Sequence, residues 1–108
     1  MSLFSFLFKK PPYVLSRDDF RQKMTEAGKR ASVIDVRTPG EFSGGGLPKA
    51  KNINLQSPDF VNRLRKLPKD KMYFVYCRSG LRSKNAVQQM IAEGLDAYSL
   101  SGGLMTWK

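Results

Sequence analysis

The chain has 108 residues, of which 41% are apolar, with one cysteine, no histidine and a formal charge of +10. This length and composition describe one folded domain and exclude disorder, and one cysteine excludes an intramolecular disulfide. The lack of histidine argues against a zinc site and removes any cysteine–histidine catalytic pair, so neither metal nor cofactor is expected.

Lysine and arginine total 19 against 9 acidic residues and run along the whole chain, with no nucleic-acid recognition motif to organise them. They read as surface charge that attracts small anions and acidic proteins, without a specific nucleic-acid partner.

The chain opens with a short apolar run, Leu3 to Phe8, followed by Lys9, Lys10, Pro11 and Pro12. The run is too short to span a bilayer, and its charges follow the apolar residues where a secretory signal would place them first. Residues 1–12 are therefore expected to be an apolar and basic tail on a cytoplasmic protein. Residues 1–10 offer a weak foothold on a membrane surface as the alternative. Residues 13–108 form the domain.

Tyr13, Val14 and Leu15 suit a first short strand. Ser16 reads as an N-cap with Asp18 and Asp19 in the first helical turn, Phe20, Met24 and Ala27 as its apolar side, and Gly28 as its stop. Ser32 to Val36 is a β-branched run of the kind buried on both faces of a parallel sheet. Asp35 inside it is unexpected, and it lies near the strand's carboxyl end, where open α/β sheets bind ligands. Thr38 and Pro39 predict a capped turn of helix, residues 43–48 a loop, and residues 52–55 a third strand. A helix from Ser57, with Phe60, Leu64 and Leu67 on one face, should end before Pro68.

The most informative stretch is Tyr73-Phe-Val-Tyr-Cys-Arg-Ser-Gly-Leu-Arg-Ser83. An apolar strand, residues 72–76, ends at Cys77. A short turn containing Gly80 then leads into a helix whose apolar side is Ala86, Val87, Met90 and Ile91, stopped by Gly94. This places the sulfur at the bottom of a loop of inward-pointing amides, near the positive end of a helix dipole, with Arg78, Arg82 and Lys84 nearby. A lone buried cysteine is ordinarily inert. A cationic, amide-lined turn around it instead lowers a thiol pKa and holds an anion. Residues 97–100 supply a last strand, and a tight turn and short helix end the chain. Strands alternating with helices imply a mostly parallel sheet with helices on both faces.

Three blocks resemble the rhodanese-like family. They are Val33-Ile-Asp-Val-Arg-Thr-Pro-Gly-Glu-Phe42, continuing through Gly45 to Pro48 and Ala50 to Leu55; Cys77-Arg-Ser-Gly-Leu-Arg82; and Gly102-Gly-Leu-Met-Thr-Trp107. The resemblance covers residues 13–107 and implies a small, mostly parallel five-stranded α/β domain with sulfurtransferase activity. On that basis Cys77 takes a sulfane sulfur from thiosulfate or a persulfide donor and passes it to a thiol, cyanide or an acidic protein acceptor. The binding loop would be Arg78, Ser79, Gly80, Leu81, Arg82 and Ser83, with Arg78 and Arg82 meeting the donor anion and Arg82 closing the loop. Asp35 and Arg37, which match the family's Asp-Val-Arg signature, would support the loop and nearby chain through hydrogen bonds or an ion pair, without chemistry of their own. Glu41 would cap or pair locally, and Trp107 would pack.

Two positions depart from the family pattern: Gly46 where a histidine is frequent, and Lys49 where a glycine is frequent. A phosphatase or arsenate reductase on the same fold is a competing reading. Those relatives have five residues between cysteine and arginine, and this chain has four. A sulfur-relay or binding module without turnover is a second competitor. Oligomeric state and natural partners are not legible in the sequence.

Overall fold

The computed structural model describes residues 10–107, and the expected apolar run at the amino terminus lies outside them. Five strands form one sheet: β1 (Val14–Leu15), β2 (Ala31–Asp35), β3 (Lys51–Asn52), β4 (Met72–Tyr76) and β5 (Asp96–Leu100). Their spatial order is β1-β5-β4-β2-β3 and every pairing is parallel. Four helices accompany them: α1 (Arg17–Ala27), α2 (Pro39–Ser43), α3 (Phe60–Arg65) and α4 (Leu81–Ala92). Single 3₁₀ turns cover Gly28–Arg30 and Gly103–Thr106.

Central strand β4 is buried on both faces, and side-chain alternation decides what each face meets. Tyr73, Val75 and Cys77 point toward Phe60 and Leu64 of α3 and Ala86, Val87 and Met90 of α4. Phe74 and Tyr76 point the other way, toward Phe20 of α1. There Phe20 meets Phe74 and Trp107 edge-on, at 5.4 and 5.9 Å between ring centroids. Trp107 thus packs, as expected. The same parity puts the Cys77 side chain on the α4 face, at the start of that helix.

Local signals held at the helix starts. The Ser16 hydroxyl accepts the Asp19 amide, and Thr38 and Glu41 form a reciprocal capping box around Pro39. Three expectations need adjustment. Ladder pairing of β3 ends at Asn52, although the Ile53 and Leu55 amides still donate to the carbonyls of Asp35 and Val36. The Asn52 side-chain amide donates to the carbonyls of Asp35 and Arg37, tying down the chain where the ladder ends. Helix α3 starts at Phe60, because residues 57–59 are taken up by a turn in which the Ser57 hydroxyl donates to the Asp59 carboxylate. Ile91 lies at the margin of the α4 stripe, 44% exposed.

Candidate active site

Cys77 follows the last residue of β4, and its side chain is fully buried. The loop from Cys77 to Gly80 folds back so that the Gly80 amide donates to the sulfur at 3.1 Å and the Ser83 amide at 3.3 Å. The Ser83 hydroxyl lies 3.6 Å from the same sulfur. Gly80 makes this turn at φ +99°, a region that disfavours side chains bearing Cβ. Burial pushes the Cys77 thiol up. Hydrogen bonds from the Ser83 hydroxyl and from the amides of Ser83, Gly80 and Ser79 outweigh it, and the net pKa falls below the ordinary thiol value. With no base in contact among the described residues, the Ser83 hydroxyl and the loop amides stabilise a thiolate.

Two features of this cradle have a role that no local pattern gives. The first is Ser99, a buried hydroxyl on β5 that stands 2.8 Å from the Ser83 hydroxyl. The Gly80 carbonyl lies 3.2 Å from the same hydroxyl and competes with the sulfur for its one proton, and the contact with Ser99 helps hold the hydroxyl beside the sulfur. A serine at an inward position of an apolar strand is the signal that could have found it. The second is the buttress from the carboxyl-terminal turn. Leu104 donates its amide to the Cys77 carbonyl at 2.9 Å, and Met105 donates to that of Arg78 at 3.1 Å. Gly103 lies so close beneath that a Cβ there would overlap both carbonyls. The second glycine of the last block is a requirement of this contact, whereas a Cβ at Gly102 would meet the Thr106 side chain.

The expected loop residues come together as a unit, but their cations differ in state. Arg82 forms a two-pronged ion pair with Glu41, at 2.7 and 2.9 Å. This pair holds the Glu41 carboxyl at about 2, through the Arg82 hydrogen bond first and the Thr38 amide second. Glu41 therefore does more than cap α2, because it bridges to the start of α4. Arg78 is exposed and makes no ion pair or side-chain hydrogen bond with any described residue. Leu81 is 77% exposed on the rim.

Asp35 and Arg37 stand together behind the site. The Arg37 guanidinium donates to Asp35 Oδ2 at 2.9 Å from Nε and 2.7 Å from Nη2 and to Oδ1 at 3.1 Å from Nε, and Nη2 also reaches the Gly45 carbonyl at 2.6 Å. The Leu47 amide donates to the Tyr76 hydroxyl at 3.0 Å, and burial pushes that phenol up to about 12. These contacts hold residues 45–47 against β2 and β4. None reaches the Cys77 sulfur, and the pair's side-chain hydrogen bonds go to residues 35, 37 and 45 and not to the 78–83 loop.

The two departures also acquire geometry. A Cβ at Gly46 would collide with the Tyr76 hydroxyl, so a larger residue would require the 45–47 segment to shift. Lys49 sits at φ +63°, the sole described non-glycine residue with positive φ.

A family model described as "Rhodanese-like domain" matches residues 16–108. The chain is 34% identical over 83 residues to "Putative sulfurtransferase YtwF" of Bacillus subtilis (strain 168), covering 77% of this chain and 79% of that protein. It is 33% identical over 86 residues to "Thiosulfate sulfurtransferase GlpE" of Shewanella oneidensis, covering 79% and 82%. Among solved structures, a rhodanese-like domain protein from Staphylococcus aureus superposes with a TM-score of 0.75 at 30% identity, covering 88% of this chain and 90% of that one. The all-parallel sheet, the cysteine at its central carboxyl edge and these matches agree: the chain belongs to the rhodanese-like domain family.

Proposed function

We propose that this protein is a rhodanese-type sulfurtransferase that carries a sulfane sulfur on Cys77. The observation that carries the reading is the aim of the Gly80 and Ser83 amides at one sulfur atom whose pKa is lowered. The Cys77 thiolate attacks the outer sulfur of thiosulfate or of a persulfide. The donor's sulfur–sulfur bond breaks, and sulfite or a thiolate leaves with the electron pair. The new outer sulfur is anionic, and a ring of fixed amide dipoles stabilises it without reorganisation. Attack by cyanide, a thiol or a protein cysteine on that sulfur returns the Cys77 thiolate.

Sulfurtransferase names among the relatives support the reaction class, and the cradle supports the persulfide step. Arg78 is the free guanidinium for a donor anion, since Arg82 already holds Glu41. The complete burial of Cys77 favours, as a second reading, a relay that accepts sulfur only from a docked partner.

Intact mass after incubation with thiosulfate, and again after cyanide, tests the proposal. One sulfur gained and then lost is the expected result, with no gain in Cys77→Ser. No gain by the folded, unsubstituted chain would overturn transfer from thiosulfate, and retained transfer by Cys77→Ser would overturn the role of Cys77.

A further inference from the structure

A groove of about 480 Å³ lies at the opposite end of β2 from the sulfur loop, lined by Met24, Ala31, Val33, Pro48 and four lysines: Lys29, Lys49, Lys51 and Lys71. No aspartate or glutamate lines it. Four other surface depressions each hold at least one carboxylate, from Asp18, Asp19, Asp96 or Asp59. Four positive charges therefore line this groove with no negative one among them, unlike any of those depressions. Lys71 Nζ donates to the Lys29 carbonyl, which fixes one wall. The ammonium groups of Lys29, Lys49 and Lys51 make no ion pair or hydrogen bond with any described residue.

Two further observations mark the groove. Lys49 is the residue at φ +63°, a conformation that glycine adopts freely and lysine adopts against Cβ sterics. Backbone strain of this kind clusters at ligand-binding and other functional sites. Secondly, β3 begins pairing at Lys51 opposite Ile34, so no β3 residue stands in register with Ala31, Ser32 or Val33. The outer flank of the first half of β2 is an unpaired sheet edge, the surface on which an extended peptide can lie.

We propose that this groove docks an extended, acidic segment of the protein with which the chain exchanges sulfur, through Lys29, Lys49 and Lys51. A carboxylate-bearing strand fits the lysine rim, and its apolar side chains fit the floor of Met24, Val33 and Pro48. Single-stranded nucleic acid fits less well, because no aromatic residue lines the groove for bases to stack on. The partner's role in sulfur exchange rests on the function proposed above, whereas the binding itself needs no Cys77.

The test is fluorescence anisotropy with the full chain and a labelled, end-blocked peptide of alternating glutamate and valine. Binding should weaken steeply with salt and fall about tenfold when Lys29→Gln, Lys49→Gly and Lys51→Gln are combined, at ordinary values for exposed pairs. A charge-matched control, Lys66→Gln with Lys69→Gln and Arg65→Gln, should bind like the unsubstituted chain. Lys49→Gly alone should weaken binding without lowering Tm, a combination that a purely structural Lys49 would not produce. Cys77→Ser should bind the peptide unchanged, so failed sulfur transfer and failed docking are told apart. Equal losses in the triple variant and its control would overturn the proposal, as would tighter groove-dependent binding of a single-stranded oligonucleotide than of the peptide.

Discussion

Two arginine–carboxylate pairs flank the proposed reaction centre, and they differ in one respect that decides what each can do. Asp35–Arg37 and Glu41–Arg82 are both two-pronged, with closest contacts of 2.7 Å. The side chains of the first are 0% and 9% exposed, and those of the second 32% and 28%. A buried pair cannot open without stranding a charge in a medium that solvates it poorly, so it behaves as a fixed strut. A pair this exposed contributes about 0.2–1 kcal/mol and can exchange its partner for water or for another anion. The same chemistry thus gives a rigid support for residues 45–47 and an exchangeable contact beside the Cys77 loop.

Removing one member of the strut should have the largest effect. Arg37→Met leaves the Asp35 carboxylate buried without its cation and should cost about 3–5 kcal/mol. For a domain of this size that lowers Tm by more than about 12 °C in a thermal melt. If Arg37→Met melts within a few degrees of the unsubstituted chain, the strut is no strut.

The next prediction concerns the charge that the flanking pairs surround. Ser83→Ala removes a hydrogen bond that helps lower the Cys77 thiol. The thiolate, followed by its ultraviolet absorbance, should then appear at higher pH, and the rising limb of the sulfur-transfer profile should move with it. The sign follows from the direction of the shift: a depressed thiol pKa favours the thiolate, and losing the donor restores the thiol. An unmoved profile would assign the shift to the amides alone.

Glu41→Gln tests the exchangeable pair. The glutamine oxygen can still accept the Thr38 amide, so the cap survives, and stability should change by less than about 1 kcal/mol. The Arg82 fork, however, loses its competing carboxylate, so kcat/KM with thiosulfate should rise by up to about tenfold, on the scale of one charge-assisted hydrogen bond. The value with a neutral persulfide donor should stay put. A fall with both donors would mean that Arg82 must be held by Glu41 to shape the loop. Because the Glu41 carboxyl is lowered to about 2, the pair's contribution to stability is complete above the unfolded glutamate value and is lost as pH falls through about 2. Between pH 5 and 8 neither the pair nor this difference should change, to judge from the same shift.

The smallest effect is expected at Lys49. Glycine relieves the left-handed strain but adds freedom to the unfolded chain, so Lys49→Gly should leave stability unchanged or raise it by up to about 1 kcal/mol in a denaturant titration. A clear loss would mean that the lysine side chain itself supports the fold.

How much was legible in the sequence differs by element. Cys77, Gly80 and the helix after them could be placed, because an apolar strand, a glycine turn and a helical stripe are all local patterns. The Ser16 and Thr38 caps could be placed for the same reason. Glu41 shows the boundary. Its capping bond to Thr38 spans three residues and was readable, whereas its bond to Arg82 spans 41 and was not. Ser99 and Gly103 lie beyond the same boundary, since each acts on a loop that only the sheet order brings to it.

The sequence by itself therefore determined most of the elements, the parallel α/β class and the residue proposed to carry sulfur. Hydrophobic period, turn chemistry and capping act over a few residues, and a chain of amino acids carries them in plain order. Tertiary structure alone decided which cation at the loop has no partner among the described residues, which hydroxyl orients Ser83, and which lysines share one groove without a carboxylate. Those outcomes depend on β5 lying beside β4 and on β3 covering only part of β2. Electrostatics and steric contact act through space, and the distances they obey exist only once the sheet has closed.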